Sequence, residues 1–134
     1  GILVWNKNQP WDNFSQCELA WTSFDVPARL FTYSNRGGNN ELIKVHPTEK
    51  PYRLYQECLK HYAKAGDKIF DPGFGSGMSR IVAFDMGFDY TGCEIDSHYF
   101  NDAEKRFNEH KKQGKLFSHE PPEIMQTDLF SSGQ

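Results

Sequence analysis

The sequence has no apolar run approaching the roughly 18 residues that a helix needs to span a bilayer. Its first residues also lack the basic, apolar and small-residue order of a signal peptide. Cysteine is scarce, with 3 residues at wide spacings and no CxxC or Cys/His ligand pattern, so we expect neither disulfides nor a structural metal. These absences predict a cytoplasmic protein that is not attached to a membrane.

Basic charge is also in short supply. The 15 Lys and Arg residues against 18 Asp and Glu residues give a formal net charge of −3, whereas nucleic-acid-binding domains are usually basic on at least one face. The net charge therefore does not indicate a nucleic-acid binder, although local basic patches stay open. The length of 134 residues suits one domain with an ordinary core, and 15% aromatic residues argue against a disordered chain.

The first part of the chain carries three short apolar runs, at 2–5, 19–24 and 30–33, that predict strands. Their close spacing predicts an antiparallel portion of a sheet. The chain opens directly on the first of these strands, so we expect it to be a piece of a longer protein. Turn-forming residues at 34–40, SNRGGNN, predict an exposed loop.

The period of the apolar residues becomes helical after Thr48, which is available as a cap, with Pro51 in the first turn. A short buried strand is predicted at 68–71, and a strand at 90–95. Helices follow both strands, the first ending at Gly87 and the second capped by Asp96 or Ser97 and ending near Gly114. The order strand, turn, helix, strand, helix demands a parallel strand pair, so this half begins a doubly wound sheet.

The stretch FDPGFGSGMSR at 70–80 joins the first of these strands to its helix, where open α/β sheets bind ligands. Glycines there let the backbone turn sharply and let a ligand approach without meeting a Cβ atom. A dinucleotide fingerprint needs a glycine where Met78 stands, which weakens an NAD hypothesis. The G-x-G-x-G spacing, with Asp71 at the strand end, suits S-adenosylmethionine, whose ammonium group can pair with a carboxylate.

A second candidate site is GCEID at 92–96, about 20 residues beyond the glycines, where an acid usually accepts hydrogen bonds from a ribose. Glu94 is the better candidate because it ends the predicted strand, whereas Asp96 has an ordinary role as a helix cap. A purely structural turn is the alternative to a nucleotide-type cofactor site.

Three motifs, HPTEKP at 46–51, DPGFGSG at 71–77 and GCEIDSHY at 92–99, resemble the cofactor-binding half of the DNA amino-methyltransferases. That family methylates N6 of adenine or N4 of cytosine, and carries H-x-T-x-K-P, D-P-F-x-G-S-G and G-x-E-x-D-x-x-Y in this order. The resemblance covers roughly residues 2–117. It implies a Rossmann-like, S-adenosylmethionine-dependent methyltransferase fold of the α/β class, with a mixed sheet and flanking helices, here incomplete.

The resemblance also implies an organisation of the chain. Residues 1–117 would be a partial methyltransferase domain, with strands of the target-base half at 1–33 and the cofactor-binding half at 46–117. Residues 118–134 would be a flexible tail.

Carried over position by position, the resemblance implies a site for S-adenosylmethionine. The residues around its methionine part would be Asp71, Gly73, Gly75, Ser76 and Gly77. Glu94 would bind the ribose, and Lys50 with Thr48 would flank the cofactor at the helix entrance. Gly73 stands where the family usually has phenylalanine or another larger residue, a change expected to widen the pocket.

The family's catalytic motif, D-P-P-Y or a close variant, is absent from this chain, whose one Pro-Pro at 121–122 lacks the acid and the aromatic ring. We therefore assign no catalytic residue and expect the chain alone to be inactive. In permuted members this motif precedes the strands found here, and its strand lies at the middle of the sheet. Without it, the two halves of the sheet have to close up, pair with another chain in a homo-oligomer, or rearrange.

The resemblance thus implies a fragment of a DNA methyltransferase that acts on double-stranded DNA in the complete enzyme, with N6 of adenine favoured over N4 of cytosine. The alternative is a non-catalytic, methyltransferase-like binding or interaction module. An NAD-type oxidoreductase ranks third, because of Met78 and the HPTEKP element.

Overall fold

A computed structural model describes residues 1–9, 13–34 and 49–117. The strands in these ranges are β1 (Ile2–Asn6), β2 (Cys17–Trp21), β3 (Arg29–Thr32), β4 (Lys68–Asp71) and β5 (Asp89–Gly92). The helices are α1 (Tyr52–Tyr62), α2 (Met78–Asp85) and α3 (Ser97–Phe117). Thr48, the predicted loop at 34–40 beyond its first residue, and the predicted tail at 118–134 lie outside the described residues. In the described ranges, no helix has the length and apolar character of a membrane span.

The first sheet has the strand order β2-β1-β3. β1 pairs antiparallel with β2 but parallel with β3, so the expectation of a purely antiparallel portion is wrong for β3. The reason is the path of residues 22–28, which pass around the start of β1. There the amino group of Gly1 donates to the carbonyls of Thr22 (3.0 Å) and Phe24 (2.8 Å). The chain thereby crosses to the other edge of β1 and continues in the direction of β1.

One face of this sheet is covered by α1. Leu3 and Trp5 lie two residues apart on β1 and so point to the same side, where they form a buried cluster with Phe31 and Leu54. The indole Nε1 of Trp5 donates to the carbonyl of Tyr33 at 2.8 Å, which satisfies its one polar atom inside the cluster. This cluster attaches α1 to the sheet.

The second sheet is the parallel pair β4-β5, in which Lys68 lies opposite Asp89. The predicted strand at 68–71 and its parallel pairing are confirmed. The strand is not fully buried as predicted, because Phe70 is 64% exposed while Ile69 is partly covered. Within the described ranges, β4 pairs along one edge only and no strand pairing joins the two sheets.

The helix boundaries differ from the prediction in detail. Pro51 is the N-cap of α1 and no side chain caps this helix; the predicted cap, Thr48, lies outside the described residues. α2 ends before Gly87, as predicted. Asp96 caps α3, since its Oδ1 accepts the N–H groups of His98 (2.8 Å) and Tyr99 (3.2 Å). α3 continues through Gly114 to residue 117.

A buried ion pair joins the segment before α1 to α3. The guanidinium of Arg106 donates to both carboxylate oxygens of Glu49, at 2.9 Å and 3.0 Å, and the two side chains are only 11% and 3% exposed. Arg106 also donates to the carbonyl of Ser76 at 3.4 Å. One side chain therefore holds the entrance of α1, the turn after β4 and α3 together.

We expect Arg106→Met to lower the free energy of unfolding by about 3–5 kcal/mol, because a buried carboxylate loses two charge-assisted hydrogen bonds. The matched control is Lys60→Met, which removes one partner of Glu57 in an exposed pair on α1, and should cost less than about 1 kcal/mol. Urea denaturation followed by circular dichroism measures both. Similar losses in the two variants would contradict a special role for the Arg106 pair.

Candidate functional site

Two of the three glycines in the turn between β4 and α2 occupy positions that do not suit other residues. Gly75 and Gly77 have φ angles of +53° and +73°, in the left-handed region that favours glycine. A Cβ atom on Gly77 would lie 2.9 Å from the Cβ of Ala103 in α3. Gly73 differs, because nothing lies within 4 Å of its Cβ position. The turn is thus tightly packed against α3 at its end and open at Gly73.

Asp71, the last residue of β4, reaches both the turn and α2. Its Oδ1 accepts the N–H of Gly73 at 3.1 Å, and its Oδ2 accepts the hydroxyl of Ser79 at 2.6 Å. The hydroxyl of Tyr90 lies 2.9 Å from that of Ser79. The carboxylate is therefore held on both of its oxygens at the mouth of the turn.

Glu94 holds the same turn from the side of β5. Its Oε2 accepts the N–H of Gly75 and its Oε1 accepts the N–H of Asp96, both at 2.9 Å. These two backbone donors, that of Asp96 first, lower the pKa of Glu94 below its usual value. The carboxyl is consequently ionised at neutral pH and fixed against the turn.

The position of Glu94 corrects one expectation. β5 ends at Gly92, so Glu94 does not end the strand but follows it by two residues. Cys93 still donates to the carbonyl of Asp71, the last residue of β4, at 2.9 Å, while its own carbonyl accepts the N–H of Phe74 in the turn at 3.0 Å. These bonds bring the loop after β5 against the glycine turn.

Phe74 has a role that the sequence did not reveal. It stands at the variable place of the turn, yet it is buried and its ring lies 5.8 Å from that of Phe100. A Cβ atom on Gly92 would lie 2.6 Å from the Phe74 ring. Phe74 thus anchors the turn on α3, and Gly92 is required for its close approach to β5.

The structure brings most of the predicted site residues together. Those at the turn are Asp71, Gly73, Gly75, Ser76, Gly77 and Glu94. Thr48 lies outside the described residues. The residues that sequence reasoning missed are Ser79, Tyr90 and Arg106, which reach the turn through contacts made in the folded chain.

Lys50 is engaged elsewhere. Its Nζ lies 3.0 Å from Oε2 of Glu18 on β2 and 5.8 Å from the centre of the Trp5 ring. It lines a mostly apolar cavity of about 210 Å³ between the three-stranded sheet and α1, whose lining includes no residue of the glycine turn. The neighbouring residue, Glu49, is the one linked to the turn, through Arg106.

Known proteins with a similar sequence include type II methyltransferases. The family model described as DNA methylase matches residues 3–105. The type II methyltransferase M.HinfI of Haemophilus influenzae is 37% identical over 82 residues, which are 61% of this chain and 23% of that protein. M2.DpnII of Streptococcus pneumoniae, also a type II methyltransferase, is 38% identical over 61 residues, 46% of this chain and 23% of that protein. The chain thus spans about a quarter of the length of these relatives.

A solved structure has a similar fold. The crystal structure of the M1.HpyAVI–SAM complex matches with a TM-score of 0.60 and 20% identity, covering 79% of this chain and 60% of that one. At this identity the likeness shows the fold alone, and it confirms the predicted Rossmann-like α/β fold class.

We expect Gly77→Ala to destabilise the chain by about 2 kcal/mol or more, because the new Cβ atom meets Ala103 and the positive φ disfavours alanine. Gly73→Ala is the matched control in the same turn, and should change the free energy of unfolding by less than about 0.5 kcal/mol. Urea denaturation measures both values. Equal stabilities of the two variants would show that the turn is not packed as described.

The amide groups of Gly75 and Asp96 should report the ionisation of Glu94, since each donates to one of its oxygens. In an NMR titration we expect their chemical shifts to change with a shared midpoint below 4.5, because the ionised carboxylate is the better acceptor. In Glu94→Gln the transition should vanish from the amide of Gly75, a residue without an ionisable side chain. A midpoint at or above 4.5 in the parent chain would contradict these hydrogen bonds.

Proposed function

The chain belongs to the DNA methylase family, and from this premise we propose that it forms the S-adenosylmethionine-binding part of a DNA amino-methyltransferase. The observation that carries the proposal is the pair of carboxylates that face one glycine turn: Asp71 ends β4, and Glu94 follows the parallel strand β5. In this proposal residues 46–117 are the cofactor-binding half, and residues 1–33 belong to the half that receives the target base.

The residues of the turn fit the cofactor's amino-acid part. Asp71 uses one acceptor site on each oxygen for Gly73 and Ser79, and an ionised carboxylate has about four such sites. The remaining sites can accept an ammonium group, a charge-assisted hydrogen bond of the stronger kind. The open space at Gly73 gives access without a side chain in the way.

Glu94 fits the ribose for a similar reason. Its two backbone donors occupy one site on each oxygen and keep it ionised, so its other lone pairs are available to two vicinal hydroxyl groups. Glu94 thus resembles the acidic residue that accepts hydrogen bonds from a ribose in other open α/β sheets.

S-adenosylmethionine, when bound, supplies an activated methyl group for direct transfer to an amino nitrogen. The residues described here bind and orient such a donor, which is the part of catalysis that depends on alignment. The acceptor is proposed to be an adenine N6 or, less favoured, a cytosine N4 in double-stranded DNA, rotated out of the helix so that its amino group is accessible. The D-P-P-Y motif that would hold this base is not in the sequence.

We expect calorimetry to detect binding of S-adenosylmethionine by the 134-residue chain. Glu94→Ala should weaken this binding by about tenfold or more, because hydrogen bonds from the ribose to a charged acceptor are lost. Glu109→Ala, which changes an exposed residue of α3, is the matched control and should bind like the parent.

The same preparation should not transfer a tritiated methyl group from S-adenosylmethionine to DNA, since the chain lacks the D-P-P-Y motif. Methylation of DNA by the purified chain would contradict the assignment of the catalytic residues to another part of the enzyme. A Glu94→Ala variant that binds as tightly as the parent would contradict the ribose site.

The second candidate is a non-catalytic, methyltransferase-like binding or interaction module. It is favoured by the exposed apolar side chains on the uncovered face of the first sheet, such as Trp21, which is 79% exposed. The proposed homo-oligomer, in which a second copy pairs with the unjoined sheets, rests instead on the lack of strand pairing between the two sheets in the described residues. A parent chain that is folded and does not bind S-adenosylmethionine would support this candidate over the first.

A further inference from the structure

Two polar side chains beneath the glycine turn, Ser79 and Tyr90, have been assigned no role in the binding proposed above. Ser79 lies in the first turn of α2 and is only 7% exposed. Its hydroxyl contacts Asp71 at 2.6 Å and the hydroxyl of Tyr90, on β5, at 2.9 Å. Three elements, β4, α2 and β5, therefore meet in one short chain of hydrogen bonds.

The number of available hydroxyl protons determines which group donates in each of these hydrogen bonds. A carboxylate only accepts hydrogen bonds, and a serine hydroxyl has one proton to donate, so Ser79 donates to Asp71. Tyr90 must then donate to the Ser79 oxygen. It can do so at neutral pH, because burial raises the pKa of Tyr90 to about 12 and the phenol keeps its proton.

This arrangement determines how the Asp71 carboxylate is turned. Rotation of a carboxylate about its last side-chain bond is soft and roughly two-fold, so one hydrogen bond alone leaves its plane poorly defined. Here Ser79 holds one oxygen from within the core, and the N–H of Gly73 holds the other from the turn. The remaining lone pairs are thereby presented in one fixed orientation.

We propose that Ser79 and Tyr90 are positioning residues, which orient the Asp71 carboxylate to receive the ammonium group of the methionine part of S-adenosylmethionine. The inference rests on the proposed function, and it adds specificity for the amino-acid part to the site. Neither residue needs to contact the cofactor. Their effect on binding should therefore depend on whether a ligand carries the ammonium group.

The test compares three ligands by calorimetry on the 134-residue chain: S-adenosylmethionine, S-adenosylhomocysteine and 5′-methylthioadenosine, which lacks the amino-acid part. Ser79→Ala should weaken binding of the first two by about tenfold and leave the third within about twofold. Ser79→Thr, which restores the hydroxyl, should return the affinity to that of the parent. Tyr90→Phe should show the same selectivity with a smaller loss.

Equal weakening of all three ligands by Ser79→Ala would overturn the proposal, because it would indicate a general structural defect. Unchanged affinity for S-adenosylmethionine would also overturn it. Circular dichroism and thermal unfolding check that each variant is folded, and Tyr90→Phe carries the test by itself if Ser79→Ala does not fold. A parent chain that binds none of the ligands overturns the proposed function as well, whereas a parent that binds while the variants lack selectivity overturns this inference alone.

Discussion

The arrangement of the turn depends on the hydrogen bonds that the guanidinium of Arg106 donates. This group reaches Glu49 before α1 and the carbonyl of Ser76 in the turn, while its own helix packs against Gly77 through Ala103. Arginine suits this place better than lysine, because its planar fork donates two parallel hydrogen bonds to one carboxylate. Since the pair is desolvated, its geometry is demanding, and the three segments it joins are held in one relative position.

The coverage of the sheets is one-sided. In the first sheet, Leu3 and Trp5 face α1, while the alternate residues face away from it. The exposed apolar side chains of this sheet are Ile2, Leu19, Trp21 and Leu30. α/β folds with parallel strands place helices on both faces of the sheet. Exposed apolar side chains that share one face of a sheet form a surface suited to packing against another surface.

The second half of the chain could be predicted well from the sequence. Its strands and helices follow from local periodicity, from glycines at the element ends and from the rule that a βαβ unit pairs its strands in parallel. Asp71 and the glycines could be placed at the turn for the same reason, since a strand end and a glycine-rich connection are local features of the sequence.

The remainder depended on contacts between residues far apart in the sequence. The parallel pairing of β3 is set by how residues 22–28 pass Gly1, and Lys50 is held by Glu18 on β2. Phe70 is exposed because no element in the described ranges covers its side of β4. No spacing rule connects Glu49 with Arg106, because these residues meet only when α3 packs against the segment before α1.

In the proposed function, the carboxylates of the turn would add a binding role to their structural role without conflict. Each gives one acceptor site per oxygen to its own protein, Asp71 to Gly73 and Ser79, and Glu94 to Gly75 and Asp96. A ligand that pairs with the remaining sites need not displace any of these bonds, so the loop does not have to reorganise on binding. Preorganisation of this kind lowers the entropic cost of association. The turn is thus held by the same side chains that leave its open side ready for a positively charged or hydroxyl-bearing ligand.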